Sequence, residues 1–272
     1  MRLVASAFTF ALLTVPAGAQ TVRLGDVIAR LDRYLLDYEE RLANVVAEET
    51  YRQWAEEGPT YRRFKTERIL RSDFALTLTP ERNRVGYRDT FEVDGSAVRD
   101  RDERLERLLS GGAVGQAAQI ANQNARFNLA QHLVTRNLNV PTFALEMMHP
   151  RLRDRFSVRR TGADVLEGRL DWLIELRERQ RPTVVRTPEG RDQPSRIVAL
   201  VDVQTGEVLQ TVLTWEHVNG SITVSYGRVP RIPVPVPTRM DERYVTRTGE
   251  LVAGEASYDN FRQFETSVRI IR

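Results

Sequence analysis

Residues 197–226 read IVALVDVQTGEVLQTVLTWEHVNGSITVSY, and this stretch decides the fold class. Two apolar runs, 197–203 and 207–215, flank Gln204-Thr205-Gly206, and Asn219-Gly220 separates the second run from a third at 221–226. Asn-Gly between alternating runs is the strongest short hairpin signal, because both residues accept the positive φ of a primed two-residue turn. An antiparallel meander follows. Apolar side chains occur on both faces at 197–201 and 208–215, so this part of the sheet is covered on both sides or turns one side to a partner.

Upstream, from Asp154 onward, the same period of two continues. Leu170, Trp172, Ile174 and Leu176 share one strand face, while Asp171, Glu175 and Arg177 lie on the other with Leu173. Downstream, four prolines within 229–237 remove backbone donors, which makes that segment an edge or a loop instead of a central strand. Segments 243–247, 250–258 and 261–271 supply the last strands.

Nearer the N-terminus the period changes to that of a helix. Val27, Ile28, Leu31, Tyr34, Leu35, Tyr38, Leu42, Val45 and Val46 recur three or four apart, which predicts one amphipathic helix over 26–57. Asp26 is its N-cap, Arg33, Asp37 and Arg41 follow at four-residue intervals on the opposite side, and Gly58-Pro59 ends it. Such a helix would be roughly 45 Å long and carries Glu39, Glu40, Glu56 and Glu57 as a solvated charged face. Strands are expected at 64–79 and 84–93, with Asp94-Gly95 as a tight turn. A helical insert at about 100–149 comprises 101–109, closed by Gly111-Gly112, then 115–133 and 142–148, stopped by His149-Pro150. The fold class is therefore α+β: a curved antiparallel sheet, or half-barrel, whose concave face packs on the long N-terminal helix. No internal repeat or linker divides residues 20–272, which are read as one domain.

Residues 1–19 have the pattern of a secretory signal: Arg2, an apolar run over 3–15, and Ala17-Gly18-Ala19 as a small-x-small cleavage site, so the mature chain would begin at Gln20 in the periplasm. The chain of 272 residues has no cysteine. That count excludes disulfides, thiol catalysis, cysteine metal sites and a lipidated cysteine anchor. Charges interrupt every later apolar run, so no transmembrane segment is expected in the mature chain. The formal charge of +3 is too near balance for a nucleic-acid binder, although Lys65 is the single lysine and arginine supplies the rest of the positive charge.

Catalytic patterns are absent. His132, His149 and His217 have no metal-site spacing. Gly111-Gly112-Ala113-Val114-Gly115 lacks the lysine and hydroxyl of a nucleotide loop and reads as a helix C-cap and turn, and neither Gly-x-Ser-x-Gly nor Ser-x-x-Lys occurs. No catalytic residue, metal or cofactor is assigned, and the chain is read as no enzyme. A hydrolase assembled from dispersed residues such as His149, Asp171 and Ser221 is the weakest alternative.

The order of a signal, long helix, strands, helical insert and meander resembles the LolA/LolB-like outer-membrane lipoprotein-sorting and periplasmic lipoprotein-carrier family. LVDVQTGEVL at 200–209 and IPVPVPTRMDERY at 232–244 carry the local likeness. The resemblance implies an incomplete barrel partly closed by helices, with an apolar cavity that shelters acyl chains. Trp172, Ile174, Leu213, Trp215, Ile222 and Val224 are the candidate cavity residues, because they are bulky, apolar and on neighbouring strands. The expected partner is a lipid or acyl chain. The other reading is an interaction scaffold that contacts another envelope protein through its arginine-rich helices and the 229–237 segment.

Overall fold

The computed structural model describes residues 22–42, 45–58, 64–78, 84–99, 122–166, 169–187, 189–216 and 218–263. The expected signal at 1–19, His217, and the insert residues 101–109, Gly111-Gly112 and 115–121 lie outside them. Helix α1 (Leu24–Leu42) is followed by strands β1 (Val45–Glu57), β2 (Phe64–Leu78), β3 (Arg84–Val93) and β4 (Ser96–Ala97). Helix α2 (Phe143–Met148) and a 3-10 turn (Pro150–Arg155) lead into β5 (Phe156–Leu166), β6 (Arg169–Glu178), β7 (Ser195–Asp202), β8 (Val208–Trp215), β9 (Gly220–Gly227), β10 (Val236–Val245) and β11 (Leu251–Gln263). These eleven strands form one antiparallel sheet in the order β4-β3-β2-β1-β11-β10-β9-β8-β7-β6-β5. Two meanders are thus joined where β1 pairs with β11, and the edges β4 and β5 leave the sheet open. Among the described residues the fold is mostly β.

The sheet must curl. Helix α2 touches both β3 and β8, which stand six strands apart, or about 29 Å along a flat sheet. A six-residue helix about 10–12 Å wide cannot bridge that span unless the two ends bend toward it. Cross-strand registers carry one set of side chains over the whole inner face. One row runs Leu176, Ile197, Leu213, Ile222, Glu242 and Gly254 to Gln53. The next runs Ile174, Ala199, Thr211, Val224, Met240 and Ala256 to Tyr51 and Leu70.

The expected helix over 26–57 is corrected: α1 ends at Leu42, about 28 Å long, and Val45–Glu57 is strand β1 near the middle of the sheet. Val45, Ala47, Glu49, Tyr51, Gln53 and Ala55 point inward and alternate with outward residues. Val45 and Val46 fit a helical stripe as well as a strand, but β-branched and aromatic residues at 45, 46, 50, 51 and 54 favour the pleat. Glu56 and Glu57 accordingly belong to a strand. A second correction concerns 229–237: Val236 and Pro237 open strand β10, which is central, and Pro237 is tolerated beside a bulge between 237 and 239. The expected strand at 250–258 and the start of that at 261–271 are one strand, β11, and 264–271 lie outside the described residues.

The hairpins at Asp94-Gly95 and Gln204-Thr205-Gly206 stand where the turn chemistry places them, with positive φ at Asp94, Gly95 and Gly206. Asn219-Gly220 also marks the β8–β9 connection, but neither residue has positive φ and Gly220 opens β9, so the expected two-residue turn is corrected. Gly206 has a second role. A Cβ there would sit 2.5 Å from the Leu31 backbone nitrogen, so the absence of a side chain lets the β7–β8 turn lie directly against α1.

Candidate functional site

The inner face divides into an apolar half and a half in which buried polar groups are set among apolar ones. Over β6–β9 it is apolar and covered by α1, whose Val27, Leu31, Tyr34, Leu35, Tyr38 and Leu42 are buried. All six candidate cavity residues lie here. Trp172, Ile174, Leu213, Ile222 and Val224 are buried in the same cluster as the α1 side chains, and Trp215 packs at its margin. Trp215 stacks on Tyr244, with ring centroids 6.3 Å apart, and marks the border with the other half. The structure therefore brings the six into one core with the α1 side chains, as packed interior and not as the lining of an open cavity.

Along the α1 seam the packing is incomplete. A void of about 20 Å³ is lined by Leu42, Val45, Ala47, Phe74, Thr142, Pro237, Tyr258 and Phe261. A second of about 20 Å³ lies among Leu35, Tyr38, Glu39, Thr142, Leu145, Glu146 and His149. Each has room for about one water. The hydroxyls of Tyr34 and Tyr38 are buried and make no hydrogen bond of ordinary geometry, a cost of about 1–3 kcal/mol each if left unmet. Burial pushes the Glu146 carboxyl up to about 8, against the opposing pull of Arg151 and of a hydrogen bond from Thr142. Burial also lowers His149, with Glu39 opposing and Arg151 reinforcing the shift. The rim is held by ion pairs: Arg151 to Glu39 at 3.1 Å, His149 Nε2 to Glu39 at 3.6 Å, and Arg153 to Asp32.

Over β1–β3, β10 and β11 the inner face meets the end of α1 at Val45, Ala47, Phe74 and Tyr258, and it also carries buried polar groups that are locked together. Arg88 donates through Nε and Nη2 to Glu49, and Nη2 also donates to the Asn139 carbonyl at 2.9 Å. Tyr258 donates to the same Glu49 at 2.8 Å. Arg136 donates to Glu242, to Gln53 at 2.8 Å and to the Leu129 carbonyl at 2.6 Å, and Tyr51 donates to Glu242. Both ion pairs are fully buried. Asn124 brackets β3 by accepting from Arg88 N and donating to the Gly86 carbonyl, while Asn128 accepts from Gln53 and donates to the Arg136 carbonyl. Residues 124–139 are thereby tied across this half. Gly254 makes room, since a Cβ there would meet the Tyr51 ring.

Sequence reasoning missed this polar half. Its signal was present, in Glu49 and Gln53 at alternating positions of 45–57 and in Glu242 between Met240 and Tyr244, but a helical reading of 45–57 hides the alternation.

The residues of the hydrolase alternative do not meet. His149 touches α1 on the inner side, whereas Asp171 and Ser221 sit on the outer face, with Asp171 paired to Arg169. His132 contacts Glu57 at the surface. Among the described residues no group of three histidines or carboxylates is placed to hold a metal. The proline-rich segment is partly consumed by the fold, because Ile232 and Val234 are buried in the α1 cluster. No helix among the described residues is long and apolar enough to cross a membrane.

No protein-family model matches the chain. No curated protein matches its sequence either. Solved structures do resemble it. A DUF1329 family protein from Desulfovibrio piger is 12% identical, with a TM-score of 0.41 over 90% of this chain and 92% of that one. A putative outer membrane lipoprotein-sorting protein domain from Vibrio parahaemolyticus is 11% identical, with a TM-score of 0.38 over 88% and 95%. A LolA superfamily protein from Nitrosomonas europaea is 10% identical, with a TM-score of 0.35 over 91% and 96%. Among the structures it resembles are thus a LolA superfamily protein and a lipoprotein-sorting domain, the kind of protein that the sequence resembles.

Proposed function

We propose that this protein is an exported, non-enzymatic binding protein that shelters a lipid or other apolar ligand between α1 and the apolar half of the inner face. One observation carries the reading: an apolar floor on four strands is covered by a single amphipathic helix that is fastened at its rim by partly exposed ion pairs. Exposed or half-exposed pairs contribute about 0–1 kcal/mol each. The six buried α1 side chains contribute on the order of 10–20 kcal/mol together, as an upper figure. A long acyl chain, at about 0.8 kcal/mol for each sheltered methylene, supplies burial of the same order. An acyl chain can therefore take over the floor from part of α1, whereas the buried voids of about 20 Å³ leave no room for it while α1 stays seated, and the groove of about 600 Å³ beside α1 is open and lined by Arg30, Arg33, Asp37, Arg41 and Glu207.

Delipidated protein should take up a fluorescent fatty acid saturably, and amides 24–42 should lose hydrogen-exchange protection as it binds while those of β1 and β2 keep theirs. Absence of saturable uptake would refute the reading, and uptake with α1 protection unchanged would move the ligand elsewhere.

A further inference from the structure

The outer face of the sheet, opposite the proposed ligand floor, carries an arrangement that neither the fold nor that reading uses. Three arginines on three successive strands converge on one carboxylate. Arg159 of β5, Arg177 of β6 and Arg196 of β7 each donate Nε–H to Glu175, at 2.6, 2.9 and 2.6 Å. The carboxylate is buried under them, whereas the arginine side chains are 63%, 40% and 40% exposed. Arg177 and Arg196 stand directly opposite each other in the β6–β7 ladder, a like-charge pairing that is unfavourable unless something bridges it. Glu175 bridges it at the base only.

Each arginine uses only its Nε on Glu175, so the Nη groups of all three have no hydrogen-bond partner among the described residues. Arg179, whose Nε donates to Ser157 at 3.1 Å, adds a fourth cation at the same end of β6. Four arginines and one carboxylate leave a local charge of +3 on a chain whose total is +3. Half-buried Val198 and Val212, neighbours of Glu175 in the next two strands, supply aliphatic surface beside the charge. Burial alone would push Glu175 up, but hydrogen bonds from Arg159, Arg177 and Arg196 outweigh it and hold the carboxyl at about 2, so the arrangement keeps its form at any physiological pH.

We propose that this face docks on an anionic bilayer, with Arg159, Arg177 and Arg196 held upright by Glu175 to meet the phosphates of lipid headgroups. Guanidinium forks match phosphate oxygens in pairs. The choice of a headgroup layer over other anions follows from shape. The arginines stand on the convex side of a curled sheet, with no concavity to enclose a free ion. Peptide addition at a sheet edge reads backbone groups in the plane of the sheet, whereas these guanidinium groups stand on the face of β5–β7, out of line with the open edge of β5. A fluid layer of phosphates conforms to such a surface, and Val198 and Val212 suit its glycerol boundary.

The test is co-sedimentation with vesicles of phosphatidylglycerol or of phosphatidylcholine alone. Binding is expected to the first and not to the second, and to weaken about 25-fold in Arg177→Gln/Arg196→Gln, at about fivefold per arginine. Because that variant leaves a buried carboxylate short of partners, Glu175→Gln/Arg177→Gln/Arg196→Gln is measured beside it and should bind about fivefold more weakly than the parent while melting normally, since removing the carboxylate returns one of the two lost charges. Arg33→Gln/Arg41→Gln, which removes the charge of the double variant from α1, should bind as the parent does. Binding with α1 cross-linked in place should persist, which separates docking from uptake of a ligand beneath α1. Equal loss in the α1 variant, indifference to headgroup charge, or capture of inorganic phosphate or polyglutamate without vesicle binding would each overturn the proposal.

Discussion

The two halves of the inner face are sealed by different means. Over β6–β9 the seal is one helix held by burial, by rim ion pairs that reach water and by a hydrogen bond from Arg30 to the Val203 carbonyl. Over β1–β3 and β10–β11 it is a strap of chain held by two fully buried ion pairs and by asparagine and glutamine side chains. Hydrophobic contact is non-directional and can be exchanged for an equal area of another apolar surface. A buried ion pair cannot be exchanged in that way, since opening it strands a charge in a dry interior. The contrast identifies the half that can open.

The largest effect should come from the locked half. Arg136→Ala should cost about 3–5 kcal/mol by urea unfolding, because Glu242 is left buried and uncompensated, whereas Arg136→Met/Glu242→Leu should cost far less. Equal losses would mean that packing, and not charge, holds the strap. Next, Leu31→Ala in α1 should cost about 2–5 kcal/mol, with the loss concentrated in hydrogen exchange of α1 instead of spreading to β1 and β2. A uniform loss would remove the distinction between the halves. Gly206→Ala should cost about 1–3 kcal/mol, since it adds a Cβ against the α1 backbone at a φ of +80.

Glu146 sharpens the comparison by pH. Its folded pKa is raised from 4.5 to about 8, so the fold prefers the protonated acid. That contribution is complete below about 4.5 and is lost as pH rises through about 8, which loosens the seam in that direction. Glu146→Gln should flatten the stability profile between those limits, and an unchanged slope would assign the pH response to another group. The smallest effect belongs to the exposed Asp37–Arg41 pair of α1, where Arg41→Gln should change stability by about 0.5 kcal/mol or less by urea unfolding. A larger loss would give exposed ion pairs a weight in fastening α1 that the comparison denies them.

Much of this architecture is legible in the chain because hairpin chemistry is local. Asn219-Gly220, Gln204-Thr205-Gly206 and Asp94-Gly95 each place a connection between strands without reference to distant residues. The period of two at 170–177 likewise places Trp172 and Ile174 on one face and Glu175 on the other, although it does not say which face is concave. What escapes the sequence is what depends on curvature. Nothing near Glu49 reveals that Arg88 and Tyr258 will close on it, because Arg88 stands two strands away on β3 and Tyr258, its partner across the β1–β11 ladder, is 209 residues along the chain. The boundary of α1 escapes for a different reason: Leu42, Val45 and Val46 satisfy both periods, and pairing with β2 and β11 decides between them. Pro237 is admitted to a central strand only because a bulge frees it from the ladder.

The most direct measurement uses the absence of cysteine. Asp32→Cys/Arg153→Cys, joined by a short reducible bismaleimide across the rim pair, ties α1 to the 3-10 turn in an otherwise thiol-free chain. Fluorescent fatty-acid uptake should be saturable in the unlinked variant, lost on linking and restored by reductant. Undiminished uptake in the linked protein would contradict the account, because the ligand would then have reached its site without moving the helix.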